Sequence, residues 1–134
     1  MIFLFDVNAL VAFGVFRHPF HVRTSGWVYS ALSRDKAQFA TCPITEIGFV
    51  RVLASVPDYG FTVASARQLL LDLKNDRVLN LRFLADDQDV LQLPDWVVTA
   101  SQTTDGHLLQ LAQAHGAALA TLDQKIPGAY LIPA

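Results

Sequence analysis

Four carboxylates in this sequence occupy positions from which they could do chemistry together. Asp6 and Asp123 each follow a short, largely apolar run, whereas Glu46 and Asp105 fall in the first turns of predicted helices. At the carboxyl edge of a parallel sheet, where open α/β folds bind their ligands, these side chains would converge on one cleft. Like charges at close range disfavour one another's ionisation, so such a cluster calls for a divalent cation.

The chemical type of these ligands favours a hard cation. All four offer oxygen atoms, and no Cys and His pair has the spacing of a zinc site, so we expect Mg²⁺ or Mn²⁺ rather than Zn²⁺. Glu46 stands out further, because it is the only glutamate among 12 acidic residues. Asp6 also has a simpler interpretation, as the N-cap of the helix that follows it.

Alternating strands and helices must bring these carboxylates together. Strands are predicted at residues 1–5, 38–41, 78–83, 117–122 and 129–132, and helices at 8–13, 20–36, 43–56, 63–74 and from 104 or 105 to 115. The alternation predicts an α/β fold in which helices cover both faces of a mostly parallel five-stranded sheet. In the helix that opens at Pro43, the spacing of Ile44, Ile47, position 50 or 51 and position 53 or 54 predicts the buried face.

Composition narrows the class of protein. A chain of 134 residues is long enough for one domain with a substantial core, so we expect a single domain over 1–134. No apolar stretch reaches the roughly 18 to 20 residues of a membrane span. The single cysteine, Cys42, excludes an internal disulfide, and without an N-terminal signal peptide it predicts a cytoplasmic protein. The formal charge of −2 means that any nucleic-acid binding must depend on local clusters or metal ions.

Several motifs together resemble a PIN domain, and more narrowly the VapC toxins of bacterial type II toxin–antitoxin pairs. The motifs are DVNAL at 6–10, TCPITEIGFVRVL at 41–53, TTDGHLLQLAQAHGAALAT at 103–121 and TLD at 121–123, with HPFHVRTSGW at 18–27 similar to a His-Pro and Trp segment of that group. The resemblance covers essentially the whole chain in the expected order. Its specificity comes from the combination of motifs.

The resemblance implies a three-layer α/β/α PIN-like fold and an endoribonuclease that uses Mg²⁺ or Mn²⁺. Carried over by position, the catalytic and metal-binding acids are Asp6, Glu46, Asp105 and Asp123, with Asp6 and Asp105 as the first candidates for direct ligands. Asn8 and Thr121 match neighbouring polar positions that hold carboxylates or bound water. The chain departs from the pattern at Gly106, where relatives often carry Ala. Glycine there lowers helix propensity but removes no ligand.

The expected chemistry is hydrolysis of an RNA phosphodiester by metal-activated water, leaving a 3′-hydroxyl and a 5′-phosphate. Glu46 or Asp123 would accept the proton of that water, and the sequence does not choose between them. Discrimination of RNA from DNA would come from shape and 2′-hydroxyl contacts outside the metal site.

The toxin resemblance also implies partners. A cognate antitoxin would dock an apolar helix in a groove and place an arginine at the acidic site. Arg51 is a candidate for contact with RNA phosphate or an antitoxin carboxylate, and an ordinary solvated position is its alternative. The high apolar content also suits a homodimer.

Two other functions remain open at this point. One is a PIN-like module that binds RNA or protein without cutting, and the other is an acidic-pocket phosphotransfer domain, for which Lys125 would be the lysine near the rim. His18 and His21 are interpreted as surface or packing residues, and His107 and His115 as solvent-facing or near the C-terminal dipole of their helix. The aspartates at 86, 87, 89 and 95 are interpreted as a solvated loop face.

Overall fold

The computed structural model describes the chain from Met1 to Ala134. Its strands are β1 (Ile2–Phe5), β2 (Gln38–Thr41), β3 (Arg82–Phe83), β4 (Ala118–Thr121) and β5 (Tyr130–Leu131). Its α-helices are α1 (Val7–Gly14), α2 (His21–Arg34), α3 (Pro43–Ser55), α4 (Val63–Asn75) and α5 (Thr103–Ala114). Short 3-10 turns cover Pro57–Tyr59, Val90–Gln92 and Ala100–Gln102.

The strands form one sheet in the order β3-β2-β1-β4-β5, with every pair parallel. β1 therefore lies at the centre, and its last residue, Phe5, pairs with Ala120 of β4. Beyond that pair, the Asp6 N–H donates to Ala120 O at 3.1 Å. This register brings the residues that follow β1 and β4 to the same edge of the sheet, and the α/β fold class is confirmed.

Helices cover both faces of the sheet and create two apolar clusters. Successive strand residues face opposite sides, so Phe3 and Phe5 pack with α1 to α4, whereas Leu4 packs with α5. On the α5 side, Leu108 and Leu111 are fully buried. The arrangement is the expected three-layer structure. No helix combines the length and apolar character that crossing a bilayer requires.

The third strand is shorter than predicted. The sequence indicates a strand over 78–83, but only Arg82 and Phe83 pair with β2. Asp76 explains the difference, because its Oδ1 accepts from the N–H groups of Val78 and Leu79 and its carbonyl accepts from Asn80 N. This side-chain-stabilised turn competes with the strand for the same backbone groups.

The buried face predicted for α3 is wrong in part. Its core-facing side carries Thr45, Gly48, Phe49 and Leu53, whereas Ile47 is 66% exposed. Gly48 explains the choice of face, because a Cβ atom there would lie 2.5 Å from Val7 Cγ2 on α1. The missing side chain lets α3 approach α1 closely, directly beside Asp6.

We expect Gly48→Ala to lower the free energy of unfolding by about 1–3 kcal/mol, because the added methyl overpacks the contact between α1 and α3. The matched control is Gly26→Ala in α2, where an added Cβ meets nothing within 4 Å. That control should instead be neutral or gain up to about 1 kcal/mol from helix propensity. Urea denaturation of both variants measures the difference, and equal stabilities would contradict the packing argument.

Candidate active site

A cleft of about 320 Å³ opens where β1 and β4 end. Three of the predicted acids, Asp6, Asp105 and Asp123, line this cleft together with Asn8 and Arg51. Its lining residues are Asp6, Val7, Asn8, Val11, Arg51, Val52, Thr104, Asp105 and Asp123. The parallel sheet supplies Asp6 and the segment of Asp123, and the first turn of α5 supplies Asp105 from the opposite layer.

Asp6 lines the cleft although it is only 5% exposed. One carboxylate oxygen, Oδ1, accepts from Ala9 N at 2.7 Å and thereby caps α1. The other, Oδ2, accepts from the Thr121 hydroxyl at 2.5 Å. The capping interpretation is confirmed, and it leaves Asp6 able to bind a ligand, because each oxygen keeps a further lone pair.

Thr121 connects two of the aspartates. Its Oγ1 donates to Asp6 and accepts from Asp123 N at 3.0 Å. The side chain is buried at the end of β4. Thr121 thus fixes the Asp6 carboxylate and the chain turn that carries Asp123, which is the supporting geometry implied for this position.

The cleft is electrostatically unfavourable for its own aspartates. Burial raises the pKa of Asp6 from 3.8 to about 6, and Asp105 and Asp123 add to the rise, although the bonds from Thr121 and Ala9 oppose it. The pKa of Asp105 is raised as well, first by burial and then by Asp123. A positive charge bound between these groups would relieve both penalties.

The donor set fits a hard divalent cation. Its ligand atoms are carboxylate oxygens, with the hydroxyl group of Thr104 beside them, and such oxygens suit Mg²⁺ or Mn²⁺. No group of three or more His, Cys, Asp or Glu side chains is arranged to hold a metal ion. Mg²⁺ commonly keeps several waters and takes only one or two protein carboxylates, so two of the aspartates would be enough to hold it.

The structure does not place Glu46 on this cleft. Its Oε2 accepts from Thr41 Oγ1 and from Lys74 Nζ, both at 2.6 Å, while Oε1 has no hydrogen-bond partner. The Glu46 side chain lines a neighbouring groove between α3 and α4 instead. Of the four predicted acids, three share the cleft and Glu46 lies beside it.

Lys74 is the neighbour that sequence reasoning missed. Only Lys125 was expected near the rim, yet Lys74 pairs with Glu46 and lies 4.9 Å from the centre of the Phe83 ring. The signal was available in the helical hairpin, because α4 runs back along α3 and its last turn returns to the first turn of α3. Lys125 approaches Asp123 only through its backbone N–H.

Gly106 has a steric role that its low helix propensity did not reveal. A Cβ atom at this position would overlap with Val97 Cγ2. The glycine therefore lets the segment before α5 pack against the helix turn that presents Asp105. The expectation that glycine changes only helix propensity is incomplete.

The acidic stretch after β3 is more structured than a solvated loop face. Asp86 Oδ2 lies 2.6 Å from His107 Nε2, and both side chains are largely buried. Burial opposes ionisation of Asp86, but the bonds from His107 and Gln88 N, with His115 nearby, outweigh it and lower the Asp86 pKa. The solvent-facing interpretation of His107 is therefore wrong, because this pair fastens the loop to α5.

The raised pKa of Asp6 generates a stability prediction. Between pH 4 and 6 the folded protein retains a proton on Asp6 that the unfolded chain releases, so stability of the metal-free protein falls as pH rises through this range. Asp6→Asn removes the ionisable group and should raise the free energy of unfolding at pH 8 in EDTA by up to about 3 kcal/mol, with little gain at pH 4.

Denaturation at both pH values measures this effect. Asp35→Asn, at the exposed end of α2, is the control for the substitution of an aspartate by asparagine. An Asp6→Asn protein that is less stable than the parent at pH 8 would contradict the electrostatic argument.

The sequence of this chain is similar to those of known ribonucleases over nearly its full length. No protein-family model matches the chain. Ribonuclease VapC38 of Mycobacterium tuberculosis is 40% identical over 124 residues, covering 90% of this chain and 84% of that protein. From the same organism, ribonuclease VapC44 is 34% identical over 135 residues, with coverage of 92% and 87%, and ribonuclease VapC29 is 33% identical over 124 residues, with coverage of 92% and 86%. Identity at this level over nearly the full length, on a fold with the expected topology, makes this chain a member of the VapC ribonuclease family.

Proposed function

We propose that residues 1–134 form a single PIN domain that acts as a Mg²⁺- or Mn²⁺-dependent endoribonuclease and as the toxin of a toxin–antitoxin pair. One observation carries the proposal: Asp6, Asp105 and Asp123 meet at one cleft, where the pKa values of Asp6 and Asp105 are raised. A non-catalytic module has no need for such a costly cluster. The names of the relatives, all ribonucleases, support RNA as the substrate.

Asp6 and Asp105 would hold the metal, with Asp123 completing the acidic site. When bound, Mg²⁺ or Mn²⁺ supplies an activated water and neutralises charge that develops on the phosphate. Thr121 keeps the Asp6 carboxylate oriented through its hydroxyl bond, because a ligand held by a second residue needs no reorganisation on binding.

Two carboxylates are candidates for accepting the proton of the attacking water. Asp123 lines the cleft and is exposed. Glu46 lies beside the cleft with a free Oε1 oxygen, while Thr41 and Lys74 hold its other oxygen. In this proposal Glu46 retains its catalytic assignment as a proton acceptor at the edge of the site, and its place as a direct metal ligand ranks behind Asp6 and Asp105.

Arg51 supplies the positive charge that RNA needs on approach. It is exposed, lines the cleft, and makes no hydrogen bond or salt bridge within the protein. A free guanidinium can bind a phosphate through two parallel hydrogen bonds. We therefore assign Arg51 to the RNA phosphate next to the scissile one, in a protein whose net charge gives no general attraction to RNA.

The antitoxin would bind the apolar groove between α3 and α4. This groove has a volume of about 670 Å³, and its lining residues are Glu46, Ile47, Val50, Arg51, Ala54, Ser55, Val63, Arg67, Leu70 and Leu71. An amphipathic helix with acidic residues opposite Arg51 and Arg67 fits its apolar floor and charged rim. Because Arg51 lines both the groove and the cleft, a segment continuing from that helix could place an arginine at the aspartates.

The proposal includes a cytoplasmic location and a homodimer. We place the protein in the cytoplasm, which a single buried free thiol at Cys42 suits. A homodimer is proposed because Val90, Leu91 and Val98 are exposed apolar side chains outside the cleft and the groove. The phosphotransfer alternative loses support, because Lys125 does not line the cleft.

Purified, partner-free protein should cut single-stranded RNA with Mg²⁺ or Mn²⁺, should spare matched DNA, and should be inactive in EDTA. Asp6→Asn and Asp105→Asn should each lower cleavage by at least about 100-fold, because each removes a metal ligand. Asp35→Asn, an exposed aspartate far from the cleft, is the control. Cleavage by Asp6→Asn at the parent's rate would show that Asp6 acts only as a helix cap.

A charge placed on the groove floor should block the antitoxin. Leu71→Asp should weaken binding of the protein encoded beside this toxin by at least about ten-fold, because a carboxylate would be buried against an apolar helix face. Val22→Asp, at an exposed position of α2, is the matched control. Calorimetric titration measures both affinities, and normal binding by Leu71→Asp would place the antitoxin on another surface.

A further inference from the structure

The loop between α1 and α2 places an imidazole against the cleft. His18 Nε2 lies 3.1 Å from Oδ1 of Asn8, and Asn8 is one of the residues that line the cleft. The other ring nitrogen, Nδ1, accepts from Phe20 N at 3.0 Å. Both nitrogens of the ring are therefore engaged, one by the backbone of its own loop and one by a residue of the cleft.

The loop determines which nitrogen carries the proton. A backbone N–H can only donate, so Nδ1 must be unprotonated, and the neutral ring carries its hydrogen on Nε2. The His18 Nε2–H then donates to Asn8 Oδ1. Burial of the ring, with His21 nearby, lowers the pKa of His18 and keeps this neutral form.

The direction of that bond sets the orientation of the Asn8 amide. With Oδ1 turned to His18, the amide nitrogen Nδ2 is the polar end of Asn8 that remains available, and it has no hydrogen-bond partner within the protein. We infer that His18 is a positioning residue that holds the Asn8 amide so that its N–H donors, and not its carbonyl, face a phosphate oxygen of RNA in the cleft. This inference rests on the proposed ribonuclease function.

The orientation matters because the cleft is acidic. A phosphodiester entering among Asp6, Asp105 and Asp123 meets like charge, and each fixed N–H donor offsets part of that repulsion without reorganising. The reversed amide would present a carbonyl oxygen to the phosphate and add to the repulsion. The sequence HPF supports the geometry locally, because Pro19 has a fixed φ and so helps return the Phe20 N–H to the His18 ring.

Kinetic analysis of RNA cleavage with Mn²⁺ tests the role of His18. His18→Ala should lower kcat/KM by about 10-fold, mostly through KM, because a donor to a non-reacting oxygen binds substrate and transition state alike. His18→Gln retains an N–H donor and should recover most of the loss. Phe16→Ala is the matched control, since Phe16 is 84% exposed in the same loop and its side chain makes no hydrogen bond to Asn8 or His18.

A double-mutant cycle separates positioning from general loop stability. If His18 acts through Asn8, the variant His18→Ala/Asn8→Ala should cleave no worse than Asn8→Ala alone. The inference would be overturned if the two losses multiplied in the double variant, if His18→Ala lost nothing, or if Phe16→Ala lost as much as His18→Ala. Melting temperatures of all variants identify any that simply unfold.

An NMR measurement tests the protonation of the His18 ring independently of RNA cleavage. Long-range ¹H–¹⁵N correlations of the metal-free protein should show His18 as the neutral Nε2–H form, and a proton on Nδ1 would overturn the inference. If the parent cuts no RNA with either metal, the proposed function fails, while the same spectra still test the His18 tautomer on which the amide orientation depends.

Discussion

The structure depends on one buried carboxylate at the centre of its sheet. Asp6 directly follows the middle strand, and its two oxygens hold the first turn of α1 and the last residue of β4 in place. Those bonds recover part of the free energy that burial of the charge costs. A residue that joins three elements cannot shift without moving all of them, so the acidic cleft and the sheet register are fixed by the same contacts.

Sequence reasoning located the aspartates well because parallel topology leaves little choice. Once residues 2–5 and 118–121 are neighbouring parallel strands, Asp6 and the segment of Asp123 must emerge at the same edge. Asp105 follows from the start of α5, whose first turn carries it. These placements depend on backbone direction alone, which apolar patterns and turn residues specify strongly.

The misplaced features depend on side chains that come from elsewhere in the chain. The position of Glu46 depends on Lys74, which reaches it from α4, and the motif around Glu46 carries no sign of that partner. The inward face of α3 was ambiguous because apolar residues surround the helix, and only the absence of a side chain at Gly48 selects the face against α1. The third strand is shorter than predicted because the Asp76 side chain holds a turn at its start. Strand patterns in a sequence do not reveal that a side chain competes for the backbone N–H groups.

The contact between Gly106 and Val97 links two positions that a sequence alone would treat as independent. Any Cβ atom at position 106 meets the Val97 side chain, so an ancestor or descendant with alanine at 106 must first accommodate a smaller or displaced residue at 97. The order of substitutions is thereby constrained. Replacement of Val97 by a smaller residue therefore makes a larger residue at position 106 acceptable, which it otherwise is not. The segment before α5 and the helix that presents Asp105 must change in sequence together.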